Sequence, residues 1–142
     1  MKSKDPNYKS AVKNLLEQTG QKYGLDLQLL EVGPGWCRAG FAFAPGCVPE
    51  GLQISTGLQM LLAECTAAAA ATTLIGEDEA TRTVEFRASL LRPAEGAQLI
   101  CTSRVLTPGS TLVVAGSEIF TPQEERLNLV AKSMVTLSIT GK

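Results

Sequence analysis

One carboxylate stands alone in a long apolar stretch of the sequence. Between Gly51 and Gly76 the only charged side chain is that of Glu64. Burying an ionised carboxylate is costly unless a partner or a reaction compensates for it. We therefore interpret Glu64 as a catalytic residue. The structural alternative is an ordinary helix glutamate that is solvated or paired with a cation.

The residues around Glu64 predict the helix that carries it. Ser55 and Thr56 can cap a helix start, and Gly57 lets a ligand or another chain approach the backbone. A helix from about Thr56 to Ile75 would be roughly 30 Å long. Glu64 lies eight residues after Thr56, or about 12 Å along the axis. A small reacting group that meets both Glu64 and the positive helix N-terminus must therefore lie between two copies of the chain.

The composition excludes several classes of protein. The chain has 142 residues, of which 44% are hydrophobic, and this predicts a single domain over residues 1–142. Its formal net charge of −1 makes a nucleic-acid partner unexpected. The absence of histidine excludes Ser-His-Asp and Cys-His catalysis, and the four cysteines lack metal-ligand spacing. Cys65 is therefore predicted to be a buried structural thiol. Without an export signal or a continuous apolar span, a cytoplasmic protein with no membrane partner is expected.

The hydrophobic periodicity predicts two helices and six strands. A short helix covers about residues 8–20, and the strands are expected at 25–32, 36–43, 81–91, 97–106, 110–120 and 127–140. Gly33-Pro34-Gly35 predicts a hairpin turn, Ala44-Pro45-Gly46 ends the second strand, and Gly76 is the expected cap of the long helix. Because that helix is apolar, it is expected to bury its whole circumference. This predicts an α+β domain with a curved antiparallel sheet around one long helix.

Three segments together carry a family resemblance. Residues 55–64 read Ser-Thr-Gly-Leu-Gln-Met-Leu-Leu-Ala-Glu, and residues 83–94 form a strand that ends in Arg-Pro-Ala. Residues 129–136 begin Leu-Val-Ala and end in Thr. In order and spacing, over about residues 27–139, these segments resemble hotdog-fold thioesterases of the PaaI-like, phenylacetate-degradation type. In that family the helix begins with the motif HGGxxxxLxD.

The chain departs from the family pattern at its polar positions. Ser55 stands in place of the histidine and Thr56 in place of the first glycine, while Val48-Pro49-Glu50-Gly51 occupies a loop that often contains an asparagine. These losses favour an alternative, a hotdog protein that binds acyl-CoA as a sensor or chaperone without hydrolysing it. A hotdog dehydratase usually needs a histidine, which this chain lacks. A purely structural dimer module is the remaining alternative.

The resemblance implies hydrolysis of a small or medium acyl-CoA thioester, aromatic acyl groups included. The backbone N–H of Thr56, helped by that of Gly57, would polarise the thioester oxygen. Glu64 of the partner subunit would act as a general base on water or as the nucleophile. A related hotdog family that acts on 4-hydroxybenzoyl-CoA uses a glutamate on this helix. Thr83 falls where the family has an active-site serine, although a threonine is also common in any strand.

The resemblance also implies substrate contacts and assembly. The expected substrate-binding residues are Ser55, Met60, Phe86, Leu90, Arg87 and Arg92, with Arg104 as a further candidate for the coenzyme A phosphates. Surface arginines are more commonly only solvating. No cofactor is expected apart from the coenzyme A carried by the substrate. Hotdog relatives commonly pair two sheets edge to edge and stack the dimers, so a homodimer or homotetramer is expected.

Overall fold

Two helices and six strands make up the described part of the chain, residues 1–44, 46–49 and 51–142 of a computed structural model. In chain order they are α1 (Tyr8–Tyr23), β1 (Gln28–Gly33), β2 (Trp36–Ala42), α2 (Thr56–Thr72), β3 (Glu79–Leu90), β4 (Gln98–Thr107), β5 (Leu112–Gln123) and β6 (Arg126–Gly141). Every predicted element is present, with ends shifted by up to three residues. Pro45 of the predicted strand break and Glu50 of the predicted loop motif lie outside the described residues.

The six strands form one antiparallel sheet around α2. Their order is β1-β2-β4-β5-β6-β3, so β3 leaves α2 and runs to the far edge beside β6. Along β5, Val113, Ala115, Ser117 and Ile119 are buried, while the residues between them are half-exposed. This alternation defines an inner face packed against α2 and an outer face directed away from it. The predicted α+β architecture with a sheet around one long helix is confirmed.

Small residues let α2 lie close to the inner face. Ala63 and four further alanines of α2 are completely buried: Ala67, Ala69, Ala70 and Ala71. The Ser117 hydroxyl donates a hydrogen bond of 3.0 Å to the Ala63 carbonyl, and it lies 2.6 Å from the Ser103 hydroxyl on β4. This pair of hydroxyls therefore fixes the helix backbone one residue before Glu64.

The C-terminal end of α2 comes earlier than predicted, because Thr73 and not Gly76 caps it. The Thr73 hydroxyl donates to the Ala70 carbonyl at 2.6 Å and accepts from the Gly35 N–H at 2.8 Å. A threonine hydroxyl competes in this way for backbone groups that would otherwise extend a helix. At its observed length α2 is not long and apolar enough to cross a membrane, and neither is α1, the other described helix.

One side of α2 remains open, so the expectation that the helix buries its whole circumference is wrong for the single chain. Exposed and half-exposed residues recur at helical spacing: Gly57, Met60, Leu61, Glu64 and Ala68. We call this set the open stripe. Thr72 extends it by one turn and lines a groove together with Ala80 and Thr81 of β3. The open stripe therefore runs along the side of α2 that faces the edge strand β3.

Candidate functional site

The N-terminus of α2 presents an unengaged backbone donor at Thr56. Ser55 is the helix cap, and its hydroxyl accepts a hydrogen bond of 3.2 Å from the Gly57 N–H. The Gln59 N–H pairs with the Ser55 carbonyl. Within the described residues no hydrogen bond engages the Thr56 N–H, and Thr56 is exposed. Thr56 thus supplies a free backbone donor at the positive end of the helix. The Gly57 N–H, which was predicted to assist it, donates instead to the Ser55 hydroxyl.

Nothing in the described chain requires a glycine at position 57. Its φ lies outside the left-handed region. A Cβ placed there would meet only the Ser55 hydroxyl oxygen, at 3.6 Å. The glycine therefore leaves open space beside the first turn of α2, which a ligand or a second chain can enter.

Glu64 is exposed on the open stripe, which corrects the prediction that it is buried. Its carboxylate has no hydrogen bond and no ion pair with any described residue, so the alternative of a core ion pair is wrong for the single chain. Glu64 is exposed because the sheet and α1 cover only the other sides of α2. The neighbours three to four residues away along the stripe, Met60, Leu61 and Ala68, are apolar. A body that covers the stripe would therefore enclose this carboxylate in apolar surroundings.

Thr56 and Glu64 remain apart within one chain. The helix is continuous between them, which sets about 12 Å between the two positions along the axis. Thr83 is half-buried on the inner face of β3, where it pairs with the buried Leu137. Within the described chain no hydrogen bond joins the Thr83 hydroxyl to Glu64. Thr56 and Glu64 of α2 and Thr83 of β3 therefore make no hydrogen bond to one another within the described chain.

The three residues predicted to line the acyl pocket also lie on this open side. Phe86 pairs with Val135 and Leu90 with Ala131, and both partners are buried on the inner face. Met60 and Phe86 are half-buried, and Leu90 is 54% exposed. Their apolar side chains thus border the space between the open stripe and the edge of the sheet.

Two of the three arginines predicted to bind phosphate, Arg87 and Arg104, lie away from this space. Arg87 is on the outer face of β3, where its Nε lies 3.6 Å from the Glu85 carboxylate. Arg104 also lies on the outer face of the sheet. Arg92, just after β3, donates from Nη1 to the Leu129 carbonyl at 2.8 Å. Arg87 and Arg104 therefore point away from α2, and Arg92 is engaged with the chain itself.

Gln59 is a polar residue of the site region that the sequence analysis did not single out. It is 2% exposed, and its Nε2 donates to the Ile54 carbonyl at 3.0 Å. The Ile54 N–H in turn donates to the Ala94 carbonyl at 2.7 Å. The Gln59 Oε1 has no partner among the described residues. Gln59 therefore ties the start of α2 to the segment after β3, and the signal in the sequence was an amide inside an otherwise apolar helical turn.

The thiol beside Glu64 is structural, as predicted. Cys65 is buried and donates to the Leu62 carbonyl at 3.5 Å. Burial raises the pKa of the Cys65 thiol to about 12. The thiol therefore stays protonated near neutral pH, and it lacks the thiolate character of a nucleophile.

We expect one of the four cysteines to react quickly with a thiol reagent in the folded protein. Cys47 is exposed, whereas burial raises the pKa of Cys37 to about 12 and that of Cys101 to about 11, and Cys65 is protected in the same way. Labelling at pH 8 followed by peptide mass spectrometry should place a single adduct on Cys47. The same reaction in denaturant should modify all four. Rapid labelling of Cys65 in the folded protein would contradict its assignment as a structural thiol.

Solved structures with the same fold include several thioesterases. A thioesterase family protein from Silicibacter pomeroyi superposes with a TM-score of 0.86 at 22% identity, covering 95% of this chain and 99% of that chain. A thioesterase from Haemophilus influenzae gives 0.76 at 20% identity, covering 92% and 90%. The PaaI protein of the phenylacetic acid degradation operon of E. coli gives 0.71 at 16% identity, covering 91% and 93%. At these identities the likeness shows the fold, and the predicted hotdog fold is confirmed.

Sequence comparison identifies the family. No sequence among the curated proteins matches the chain. The sequence profile of the thioesterase superfamily matches residues 54–127, just over half of the 142 residues. The matched segment runs from the residue before the helix cap to the start of β6, and it contains Thr56, Glu64 and Thr83. The chain therefore belongs to the thioesterase superfamily.

Proposed function

We propose that this protein hydrolyses acyl-CoA thioesters at a site that two subunits share. The observation that carries the proposal is that α2 exposes two unengaged groups, the Thr56 N–H and the Glu64 carboxylate, neither of which has a hydrogen-bond partner among the described residues. Because these groups lie about 12 Å apart along α2, each site combines Thr56 of one subunit with Glu64 of the partner subunit. Membership of the thioesterase superfamily supports the hydrolysis of a thioester.

A homodimer, alone or stacked into a tetramer, would complete this site. The edge of the sheet beside the open stripe exposes large apolar side chains, with Val84, Leu90 and Leu91 each about half accessible. An exposed apolar surface of this kind marks an interaction site. A second copy placed there would cover the open stripe and exclude water from around Glu64.

The proposed reaction has two routes that start from the same geometry. The Thr56 N–H donates to the thioester oxygen and stabilises the negative charge that develops there. In the first route Glu64 accepts a proton from water while the water oxygen bonds to the acyl carbon. The carbon–sulfur bond then breaks, and the coenzyme A thiolate takes up the proton. In the second route a Glu64 oxygen attacks the acyl carbon itself, the carbon–sulfur bond breaks and coenzyme A leaves as its thiolate. Water then hydrolyses the resulting anhydride to the free acid and the Glu64 carboxylate, and the proton released goes to the thiolate.

The remaining predicted residues have supporting roles in this proposal. Thr83 lies on the inner face beside the open side, where its hydroxyl can orient the attacking water. Met60, Phe86 and Leu90 border the apolar space for the acyl group. Ser55 acts as the helix cap that orients the Thr56 N–H. Arg92 is the remaining arginine candidate for the phosphates, since Arg87 and Arg104 face away from α2.

A panel of acyl-CoA thioesters tests the proposal. Straight-chain, branched and aromatic acyl groups should be compared by the loss of thioester absorbance, which avoids a thiol reagent that would also modify Cys47. We expect turnover of at least one member, together with its loss in the Glu64→Gln variant. Failure of every member to turn over, in protein shown to be folded and oligomeric, would contradict the proposal.

The alternative is a protein that binds acyl-CoA without hydrolysing it. One observation favours it: the Ser55 hydroxyl, which replaces the family histidine, is occupied with the Gly57 N–H. Calorimetric titration with the same thioesters separates the two functions. Tight binding without turnover would establish the alternative, and binding with turnover would exclude it.

A further inference from the structure

We propose that the groove beside Thr72 binds the far end of the acyl group, and that it selects a medium-length chain with a terminal hydroxyl over one with a terminal carboxylate. The inference rests on the proposed hydrolysis site and names the substrate class of that site. The lining of the groove, its distance from Glu64 and its charges support it.

The groove lies between α1, the C-terminal end of α2 and the start of β3, and we call it the α1 groove. Its volume is about 460 Å³, which is within the range of small-molecule sites. Leu15 and Ile75 contribute apolar surface to it. Four uncharged polar side chains also line it: Asn14, Gln18, Thr72 and Thr81. Such a lining suits a short apolar chain that ends in a hydrogen-bonding group.

The open stripe leads from the proposed reaction centre to the α1 groove. Glu64, Ala68 and Thr72 follow one another at four-residue spacing on one side of α2, and Thr72 lines the groove. Eight residues of helix separate Glu64 from Thr72, which is about 12 Å along the axis. An extended chain advances about 1.2 Å per bond, so it spans this distance in roughly ten bonds. An acyl group of about ten carbons therefore reaches the groove from the reaction centre.

The inner face of β3 leads to the same groove. Phe86 and Thr81 lie on this face, because they pair with Val135 and Ile139, which pack in the core. Thr81 lines the groove. With Val84 as the extra residue at the irregularity of β3, four steps of the strand separate Phe86 from Thr81, or about 13 Å. The strand and the helix thus reach the groove over the same distance.

The proposed two-subunit site leaves room for a chain along this part of α2. If Thr56 of each subunit lies beside Glu64 of the other, the two segments 56–64 must run in opposite directions. Each helix begins at Thr56, so the partner's helix begins level with Glu64. Ala68 and Thr72 lie beyond that point, and α2 of the partner subunit does not cover them.

The charges of the α1 groove decide which arm of the substrate enters it. Three carboxylates and one ammonium group line it: Asp5, Glu77, Glu79 and Lys142. Glu79 lies 3.8 Å from Lys4, whereas Glu77 has no ion pair among the described residues. The groove therefore has an excess of negative charge and repels the phosphates of coenzyme A, so the acyl arm enters it. A carboxylate at the end of the acyl chain is disfavoured for the same reason.

Asn14 and Gln18 can recognise an uncharged polar end of the chain. They lie four residues apart on α1, they are exposed, and both line the groove. Neither side chain forms a hydrogen bond within the described part of the molecule. Each amide offers both donors and an acceptor. A terminal hydroxyl, which also donates and accepts, can therefore pair with them.

Binding of matched thioesters to the Glu64→Gln variant tests the selection without turnover. The probes are decanoyl-CoA, its terminal-hydroxyl and terminal-carboxylate derivatives, and hexanoyl-CoA with and without a terminal hydroxyl, each titrated by calorimetry. We expect the hydroxyl to lower Kd of the decanoyl thioester about three- to tenfold, the effect of one hydrogen bond. It should bring no gain on the hexanoyl chain, which is too short, and the carboxylate should raise Kd about tenfold. No hydroxyl preference on the decanoyl chain, or an equal one on the hexanoyl chain, would overturn the proposal.

Variants of the lining residues assign the selection to the α1 groove. Asn14→Leu combined with Gln18→Leu should abolish the hydroxyl preference and leave decanoyl-CoA bound at least as tightly. Lys13→Leu is the matched control, since Lys13 is exposed on α1 and does not line the groove, and it should keep the preference. Glu77→Lys should relieve the exclusion of the terminal carboxylate. A hydroxyl preference that survives the double leucine variant would overturn the assignment.

The groove and the proposed reaction can fail independently in these experiments. Hydrolysis of the thioesters by the parent protein without any hydroxyl preference would overturn the groove assignment alone. A hydroxyl preference in binding that follows the variants, without hydrolysis by the parent protein, would support the groove and contradict only the proposed reaction.

Discussion

Glu64→Gln is expected to lower kcat/KM for the best acyl-CoA substrate by about 10²–10⁴-fold. The amide has nearly the shape of the carboxylate, but it lacks the charge and the basic oxygen that both proposed routes require. Because Glu64 has no hydrogen bond or ion pair with the rest of the described chain, the substitution breaks no polar interaction within it. The melting temperature should therefore stay unchanged, or rise if the dimer buries the side chain.

The measurement combines kcat/KM with the melting temperature and the oligomeric state of each variant. Glu17→Gln is a matched control, since Glu17 is an exposed glutamate of α1, far along the chain from the open stripe. The control variant should keep full activity. Unchanged turnover in Glu64→Gln would contradict the catalytic assignment. A fall in melting temperature that parallels the loss of activity would instead indicate a structural role for Glu64.

The type and order of the elements could be predicted because hydrophobic periodicity records which face of each element is buried. The ends were less predictable because single side chains decide them. Thr73 ends α2 through two hydrogen bonds, one of which reaches Gly35 in the β1–β2 turn. That turn is distant in sequence, and its position cannot be known before the fold. The predicted cap at Gly76 failed for this reason.

The helix that carries the candidate site could be predicted from the sequence, but the groups that surround this helix could be predicted only in part. The continuous helix from Thr56 to Thr72 keeps Thr56 and Glu64 about 12 Å apart, as the sequence indicated. The apolar flanks of Glu64 signalled burial, but a sequence does not say whether its own chain or a second copy provides the cover. The outward direction of Arg87 depends on the irregularity at Val84, because one extra residue reverses the face of every side chain beyond it.

Replacement of Thr56 by proline is expected to reduce turnover by about 10²–10³-fold, the effect of removing one donor from an oxyanion site. Proline lacks the backbone N–H that is proposed to polarise the thioester oxygen. The fold should tolerate the change, because Thr56 is the first residue of α2 and proline is favoured at that position. Ser55 has φ −50° and ψ 137°, which is the extended conformation that a residue before proline adopts. No described hydrogen bond of the Thr56 N–H is lost.

Thr56→Gly is the matched control, because it keeps the N–H and removes only a side chain that the family motif does not have. It should retain most of the activity. Circular dichroism and sedimentation should show that both variants keep the fold and the oligomeric state of the parent protein, so that the difference in kcat/KM reports the donor alone. Full activity in the proline variant would show that another group polarises the thioester. If glycine is as damaging as proline, the Thr56 hydroxyl is the required group and the backbone assignment is wrong.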